Sequence, residues 1–229
     1  MYFDLFIVFT MAFFSFSTYL LVSNQSIFSN LILFRSSWTF YVFQKIISTL
    51  FFLLLPIFFL KNYFHIFKYN FLFINPVGFN EIIIIFSAFL ILLCITFFSS
   101  KREENLINYP QLKINKWTIN AVFFNTLLWA IYLFGYEYFF RGILFLFLLK
   151  ILNINLFFLV LLNTFFYAAA HLHKGKTEVI ACIPFGIVLC YITYFTDSIF
   201  CAFIIHLILA SFNDIFSIYH KGLPIKKVN

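Results

Sequence analysis

Long runs of apolar residues, separated by short polar segments, dominate this chain and restrict how it can fold. The runs cover residues 3–22, 38–60, 79–98, 117–134, 136–149, 154–170, 179–195 and 198–219. An α-helix needs about 20 residues, within a range of about 17 to 25, to cross the hydrocarbon core of a bilayer. The pattern therefore predicts an all-α fold, a polytopic transmembrane helical bundle of about eight helices, with seven as the alternative.

Composition supports a membrane environment. The chain has 229 residues, of which 64% are hydrophobic and 10% charged, whereas a soluble domain carries about 25% charged residues. Too little polar surface remains to cover a water-exposed globule, so we expect a multi-pass integral membrane protein, in the plasma membrane if the source is bacterial. The net charge of +7 fits contact with anionic lipid head groups, and no nucleic-acid partner is expected.

The polar segment 99–116 divides the sequence into two parts of one membrane domain, 1–229. The N-terminal part, 1–116, contains helices without a chemical motif, and 117–219 contains every candidate site residue. The stretch 117–149 is too long for one ordinary span, and Gly135 is the expected point of a break or tilt. Glu137 would then lie just inside a new helix.

The chain begins MYFDLFIVF, with an acidic residue where a cleavable signal peptide would carry positive charge. Because the first apolar run also lacks a clear cleavage site, we expect it to stay as a transmembrane helix.

Charged and polar side chains occur inside the last hydrophobic runs, where lipid should exclude them. Glu137 and Arg141 lie in one run, His171 ends the next, and His206 lies within the last. A charge at the bilayer centre costs about 2.5 to 3.5 kcal/mol, so such residues usually face a packed or wet interior. Glu137 and Arg141 are four residues apart and can form a purely structural ion pair. The two additional histidines favour an intramembrane site in which a carboxylate and imidazoles activate water.

Further polar residues share helical faces with the histidines. Asn163, Tyr167 and His171 follow each other at intervals of four and line one face. His206 has Asn213 and Asp214 near its own face, two turns further on. A proton relay, a metal pair or an oxyanion-binding donor could each use this second arrangement. Glu178, just after the histidine helix, is another supporting candidate.

The order of these pieces resembles the CPBP family, the CAAX proteases and bacteriocin-processing enzymes. The resemblance covers 117–219, and the matching segments are YEYFFRG (136–142), YAAAH (167–171), KGKTE (174–178), TDSI (196–199) and IIH, which ends at His206. It implies a glutamic-type intramembrane endopeptidase whose peptide or protein substrate enters from the membrane. In that family a glutamate and the first histidine activate water, while the last histidine and an asparagine stabilise the oxyanion.

Residue by residue, the resemblance implies that Glu137 and His171 activate the water, that His206 donates to the oxyanion, and that Arg141 holds Glu137. The chain departs from the family pattern at three positions. Tyr136 replaces the first glutamate of the pair, Tyr167 replaces phenylalanine, and Ala210 replaces the final asparagine. Asn213 or Asp214 could take over part of the function of that asparagine, unless another group compensates.

The replacement at Tyr136 leaves two interpretations. The chain is either a pseudoenzyme or a variant in which Glu137 is the base, and the retention of Arg141, His171 and His206 favours a working site.

Two other classes of function stay open: a non-catalytic scaffold, immunity or transport component, and a zinc-dependent membrane hydrolase. Zinc is not favoured, because no H-E-x-x-H helix is present and the four cysteines show no C-x-x-C spacing. No cofactor is therefore expected.

Overall fold

The computed structural model describes residues 2–24, 37–63, 73–150, 153–223 and 225–226. The helices are α1 (Tyr2–Ser23), α2 (37–63), α3 (Phe79–Ser99), α4 (Glu103–Asn108), α5 (Ile119–Lys150), α6 (Leu156–Ala169), α7 (Lys176–Thr196) and α8 (Phe200–His220). Helix α2 contains a π-helical segment, Leu50–Leu54, and a single 3₁₀ turn, Leu172–Lys174, joins α6 to α7. Two short strands, β1 (Trp117–Thr118) and β2 (Ile225–Lys226), pair in parallel.

Six helices in the described ranges are long and apolar enough to cross a membrane: α1, α2, α3, α5, α7 and α8. Helix α6 is equally apolar but has only 14 residues. The six-residue α4 lies in the polar segment between α3 and α5. These features confirm the predicted all-α polytopic bundle, and the chain is an integral membrane protein.

The predicted break at Gly135 is wrong, and 117–134 and 136–149 do not form separate helices. Helix α5 continues through Gly135 and changes from α-helical to π-helical geometry at Tyr138–Phe147. Gly135 instead allows close packing against α2, because a Cβ there would lie 3.3 Å from the Cβ of Leu53. Small residues commonly permit such close approach between membrane helices.

Helix α5 occupies the centre of the bundle. Every residue of its π-helical segment, Tyr138–Phe147, is buried, including Arg141. The outer helices instead expose large apolar side chains, such as Phe13 in α1 and Phe86 in α3. Helix α5 packs against α2 on one side and α8 on another, while α3 covers α8 and α7 covers α6. Asn125, Glu137 and Arg141 of α5 are therefore surrounded by protein rather than lipid.

A buried carboxylate fixes α8 against α5 and the preceding loop. Asp214 on α8 accepts hydrogen bonds from Asn125 Nδ2 (2.9 Å), Trp129 Nε1 (2.7 Å) and the backbone N–H of Gln111 (3.2 Å). Lys45 of α2 donates to Gln111 Oε1 (2.9 Å) and lies 3.3 Å from the centre of a Trp129 ring. One polar cluster thus joins three parts of the bundle.

We expect Asp214→Asn to lower the free energy of unfolding by about 3 kcal/mol, because the new amide would turn a donor towards the donors of Trp129 or Gln111. Thermal unfolding of the purified protein in detergent measures this. Asp197→Asn is the matched control. Asp197 pairs with Lys150 where both side chains are nearly half exposed, so its loss should cost less than about 1 kcal/mol. Equal shifts in the two variants would contradict a structural role for Asp214.

Candidate active site

Glu137 of α5 and His206 of α8 form a buried contact at the centre of the bundle. His206 Nδ1 lies 2.5 Å from Glu137 Oε1, and the Glu137 side chain is fully buried. An ionised carboxylate only accepts hydrogen bonds, so the imidazole donates from Nδ1. The free nitrogen, Nε2, lies 3.5 Å from the hydroxyl of Tyr167. The carboxylate therefore sets both the orientation and the tautomer of His206.

Arg141 balances the charge of Glu137 from the next turn of α5. Its Nε lies 3.3 Å from Glu137 Oε2, and both side chains are completely buried. The guanidinium also lies 4.5 Å from the centre of the Tyr167 ring and donates to the carbonyl oxygen of Gly186 at 3.5 Å. The ion pair between Glu137 and Arg141 that the spacing predicted is therefore present, and His206 contacts the other oxygen of the same carboxylate.

His171 lies beyond the end of α6, close to the same residues. Its Nδ1 is 2.9 Å from the carbonyl oxygen of Tyr167, so this nitrogen donates and Nε2 keeps its lone pair. The ring of Tyr167 is 5.1 Å from that of His171 and 5.9 Å from that of His206. Tyr167 thus lies close to both histidines. In each histidine Nδ1 is hydrogen-bonded to a carboxylate or a carbonyl oxygen, and Nε2 is the remaining ring nitrogen.

A cavity of about 950 Å³ adjoins the two histidines. Its polar lining includes Tyr136, Tyr167 and Asn213, and its apolar lining includes Ile91 and Ile95 of α3, Val188 and Ile192 of α7, and Leu209 of α8. Glu137 and Arg141 are not among the lining residues and are fully buried. His206 therefore lies between the carboxylate and the cavity.

Glu178 belongs to a polar network at the rim of the cavity. Its Oε1 accepts hydrogen bonds from Lys174 Nζ (2.8 Å) and from the hydroxyl of Tyr109 (2.6 Å). Burial by itself lowers the pKa of Lys174, but the charge and hydrogen bond of the Glu178 carboxylate, together with Tyr19 and Cys182, outweigh burial, so the pKa lies above that of an ordinary lysine. Asn108 Nδ2 also donates to the Lys174 carbonyl oxygen at 2.6 Å. The network fastens the turn after His171 to α7 and to the loop after α4.

The other supporting candidates have separate positions. Asn163 donates to the backbone carbonyl oxygen of Phe140 at 2.5 Å and accepts from the thiol of Cys190, so it holds the π-helical part of α5 and lies outside the cavity lining. Asn213 lines the cavity together with His206. Asp214, one residue on, turns away towards Trp129 and is not a lining residue.

Tyr136 is a cavity residue whose position the sequence motifs did not indicate. Its ring lies 5.6 Å from that of His206 and 6.3 Å from that of His171, and it is stacked on Phe140 at 4.4 Å. In the motif, Tyr136 stands only as the residue in place of the first glutamate. Its position next to Glu137 was the available signal, because adjacent residues on a buried helix can both reach one polar site.

Comparisons with known proteins give one finding. A family model described as Type II CAAX prenyl endopeptidase Rce1-like matches residues 118–212. No curated protein and no solved structure matches the chain. In the residues that the structure covers, no group of three or more His, Cys, Asp or Glu is arranged to hold a metal ion. The matched segment carries Glu137, Arg141, His171 and His206 and is similar to the Rce1-like CAAX endopeptidases of the CPBP family, the resemblance that the motifs predicted.

Proposed function

We propose that this chain is an intramembrane endopeptidase of the CAAX-protease type, with His206 and His171 acting on a water molecule in the central cavity. The observation that carries the proposal is the contact between Glu137 and His206 at the cavity wall. The Rce1-like match over the same region supports peptide hydrolysis as the reaction.

His206 is the proposed general base. A carboxylate on Nδ1 favours the imidazolium, so Nε2 becomes a better proton acceptor. The Glu137 carboxylate is placed for this function, while Arg141 keeps it ionised. This assignment differs from the one that the family resemblance implies, in which glutamate activates water directly, because Glu137 does not line the cavity.

His171 is proposed to orient the attacking water. Its Nδ1 donates to the Tyr167 carbonyl, so its Nε2 can accept a hydrogen bond from water. Water held by two imidazole nitrogens would have one proton directed at His206. This preorganisation aligns the oxygen lone pair with a carbonyl carbon in the cavity.

The reaction then proceeds in two steps. The water oxygen forms a bond to the carbonyl carbon, its proton passes to His206, and the carbonyl electron pair moves onto the oxygen to form an oxyanion. When the oxyanion collapses, the C–N bond breaks and His206 returns the proton to the leaving nitrogen. The products are a carboxyl group and an amine. General acid–base catalysis of this kind contributes about 10² to 10⁴-fold to the rate.

The proposed substrate is a peptide that carries a lipid group. The cavity has polar residues beside the histidines and apolar side chains from α3, α7 and α8, a lining that suits a peptide joined to a hydrocarbon chain. The description of the matching family names prenylated CAAX substrates. We therefore propose a prenylated C-terminal peptide as the substrate class, reached from within the bilayer.

Glu137→Gln should reduce kcat by about 10² to 10⁴-fold, because glutamine keeps the shape but cannot stabilise a histidinium. The assay uses a quenched peptide with a farnesylated cysteine followed by three residues, the CAAX form. In parallel, peptide termini are compared between cells that express the native chain and cells that express the variant at matched membrane levels.

Glu81→Gln is the control, since Glu81 accepts a hydrogen bond from the backbone N–H of Gly78 at the start of α3 and does not line the cavity. It should keep kcat within about threefold of the native value. Termini that depend on Glu137 would identify the substrates. No change in termini or peptide turnover in a folded Glu137→Gln protein would favour the non-catalytic scaffold, in which the buried ion pair serves stability alone.

Turnover should not depend on a metal ion, because the proposed mechanism uses imidazole and carboxylate groups only. Purified protein is treated with 1,10-phenanthroline, assayed with the farnesylated peptide and analysed for metal content. We expect unchanged rates and far less than one zinc per chain. Inhibition that added zinc reverses would contradict this mechanism and would support the zinc-dependent hydrolase.

A further inference from the structure

The hydroxyl of Tyr136 is buried without any hydrogen-bond partner in the part of the chain that the structure describes. The side chain is only 1% exposed, yet Tyr136 lines the cavity together with both histidines. Buried polar groups are nearly always satisfied, and those that are not often serve a ligand or a reaction. The ring of Tyr136 therefore borders the cavity, and no described residue uses the hydrogen-bonding capacity of its hydroxyl.

The ring of Tyr136 is held firmly in place. It is stacked on Phe140 and lies edge-on to Phe52 at 5.5 Å and to Tyr167 at 5.8 Å. It also lies edge-on to both histidine rings. A ring enclosed in this way cannot change rotamer freely, so its hydroxyl is preorganised and little reorganisation is needed when charge develops nearby.

The proposed reaction needs a donor that the chain lacks at the expected position. Ala210, one turn after His206 on α8, lines the cavity but has no polar side-chain atom. With His206 acting as the base, its Nε2 accepts a proton and does not stabilise the oxyanion in the first step. A tyrosine hydroxyl can perform that function, since phenolic donors form oxyanion holes in other enzymes.

We infer that Tyr136 donates the hydrogen bond that stabilises the oxyanion, supplying the donor that is missing at Ala210. This inference rests on the proposed function. The phenolic proton stays on Tyr136 throughout, so no bond of the tyrosine is made or broken. The chain has tyrosine in place of glutamate at position 136 and alanine in place of asparagine at position 210. The two changes are then linked, because the hydroxyl of Tyr136 compensates for the missing asparagine amide.

Tyr136→Phe removes the hydroxyl and keeps the ring packing. With the farnesylated CAAX peptide, or with a peptide that spans a Glu137-dependent cleavage site found in cells, kcat should fall by about 100-fold or more. KM should stay within about twofold, because the interaction forms only in the transition state. The melting temperature should stay close to that of the native protein.

Tyr138→Phe is the matched control. Tyr138 is also fully buried and its hydroxyl also has no partner among the described residues, but it packs against Phe73 and does not line the cavity. It should leave kcat unchanged. A second variant adds Ala210→Asn to Tyr136→Phe and should recover about tenfold in kcat, because the amide replaces the lost donor.

The outcomes separate this inference from the proposed function. Turnover that requires His206 but is unaffected by Tyr136→Phe would overturn the inference and leave the protease proposal intact. Equal losses in Tyr136→Phe and Tyr138→Phe would also overturn it, since a general packing effect would then explain both. Turnover that is unaffected by His206→Gln would overturn both proposals.

Discussion

The burial of the Glu137 carboxylate at membrane depth is the constraint on which the rest of the site depends. An isolated charge in this environment is very unfavourable, so it must be compensated by neighbouring groups. Arg141 does so from the same helix and His206 from α8. The Glu137 charge therefore fixes how α5 and α8 meet, and in doing so it aims Nε2 of His206 away from the carboxylate, towards Tyr167 and the cavity.

Hydrogen bonds from residues outside the family motifs also hold this arrangement in place. Asn163 binds a backbone carbonyl in the π-helical part of α5, and Asp214 ties α8 to Trp129 and Asn125. π-Helical segments inside α-helices often occur at functional sites, because the wider turn changes which side chains share a face. Here that segment begins directly after Glu137 and includes Arg141.

The N-terminal helices, which lie outside the Rce1-like match, also contribute to the cavity. Tyr19 of α1 and Lys45 of α2 are among its lining residues. Phe52, in the π-helical part of α2, packs against the rings of Tyr136 and Phe139. Helices without a recognisable motif thus shape the space in which the proposed reaction takes place. The segment 118–212 therefore forms only part of the cavity wall.

Local features of the sequence were sufficient for several conclusions. The apolar runs determined an all-α membrane bundle, because spans of this length must bury their backbone polar groups in helices. The i, i+4 spacing determined the pairing of Glu137 with Arg141, because helix geometry alone brings such residues together. The motif order predicted the Rce1-like region.

Contacts between distant segments were decided by the tertiary structure alone. The packing of α2 on α5 made Gly135 a site of close approach rather than a break. Asp214 and Asn213 are adjacent in sequence, yet only packing decided that Asp214 faces Trp129 and Asn213 faces the cavity. The same holds for the choice of His206 over His171 as the partner of Glu137. Each outcome depends on which helix faces overlap in space, and that overlap results from the packing of the whole bundle, which no local pattern records.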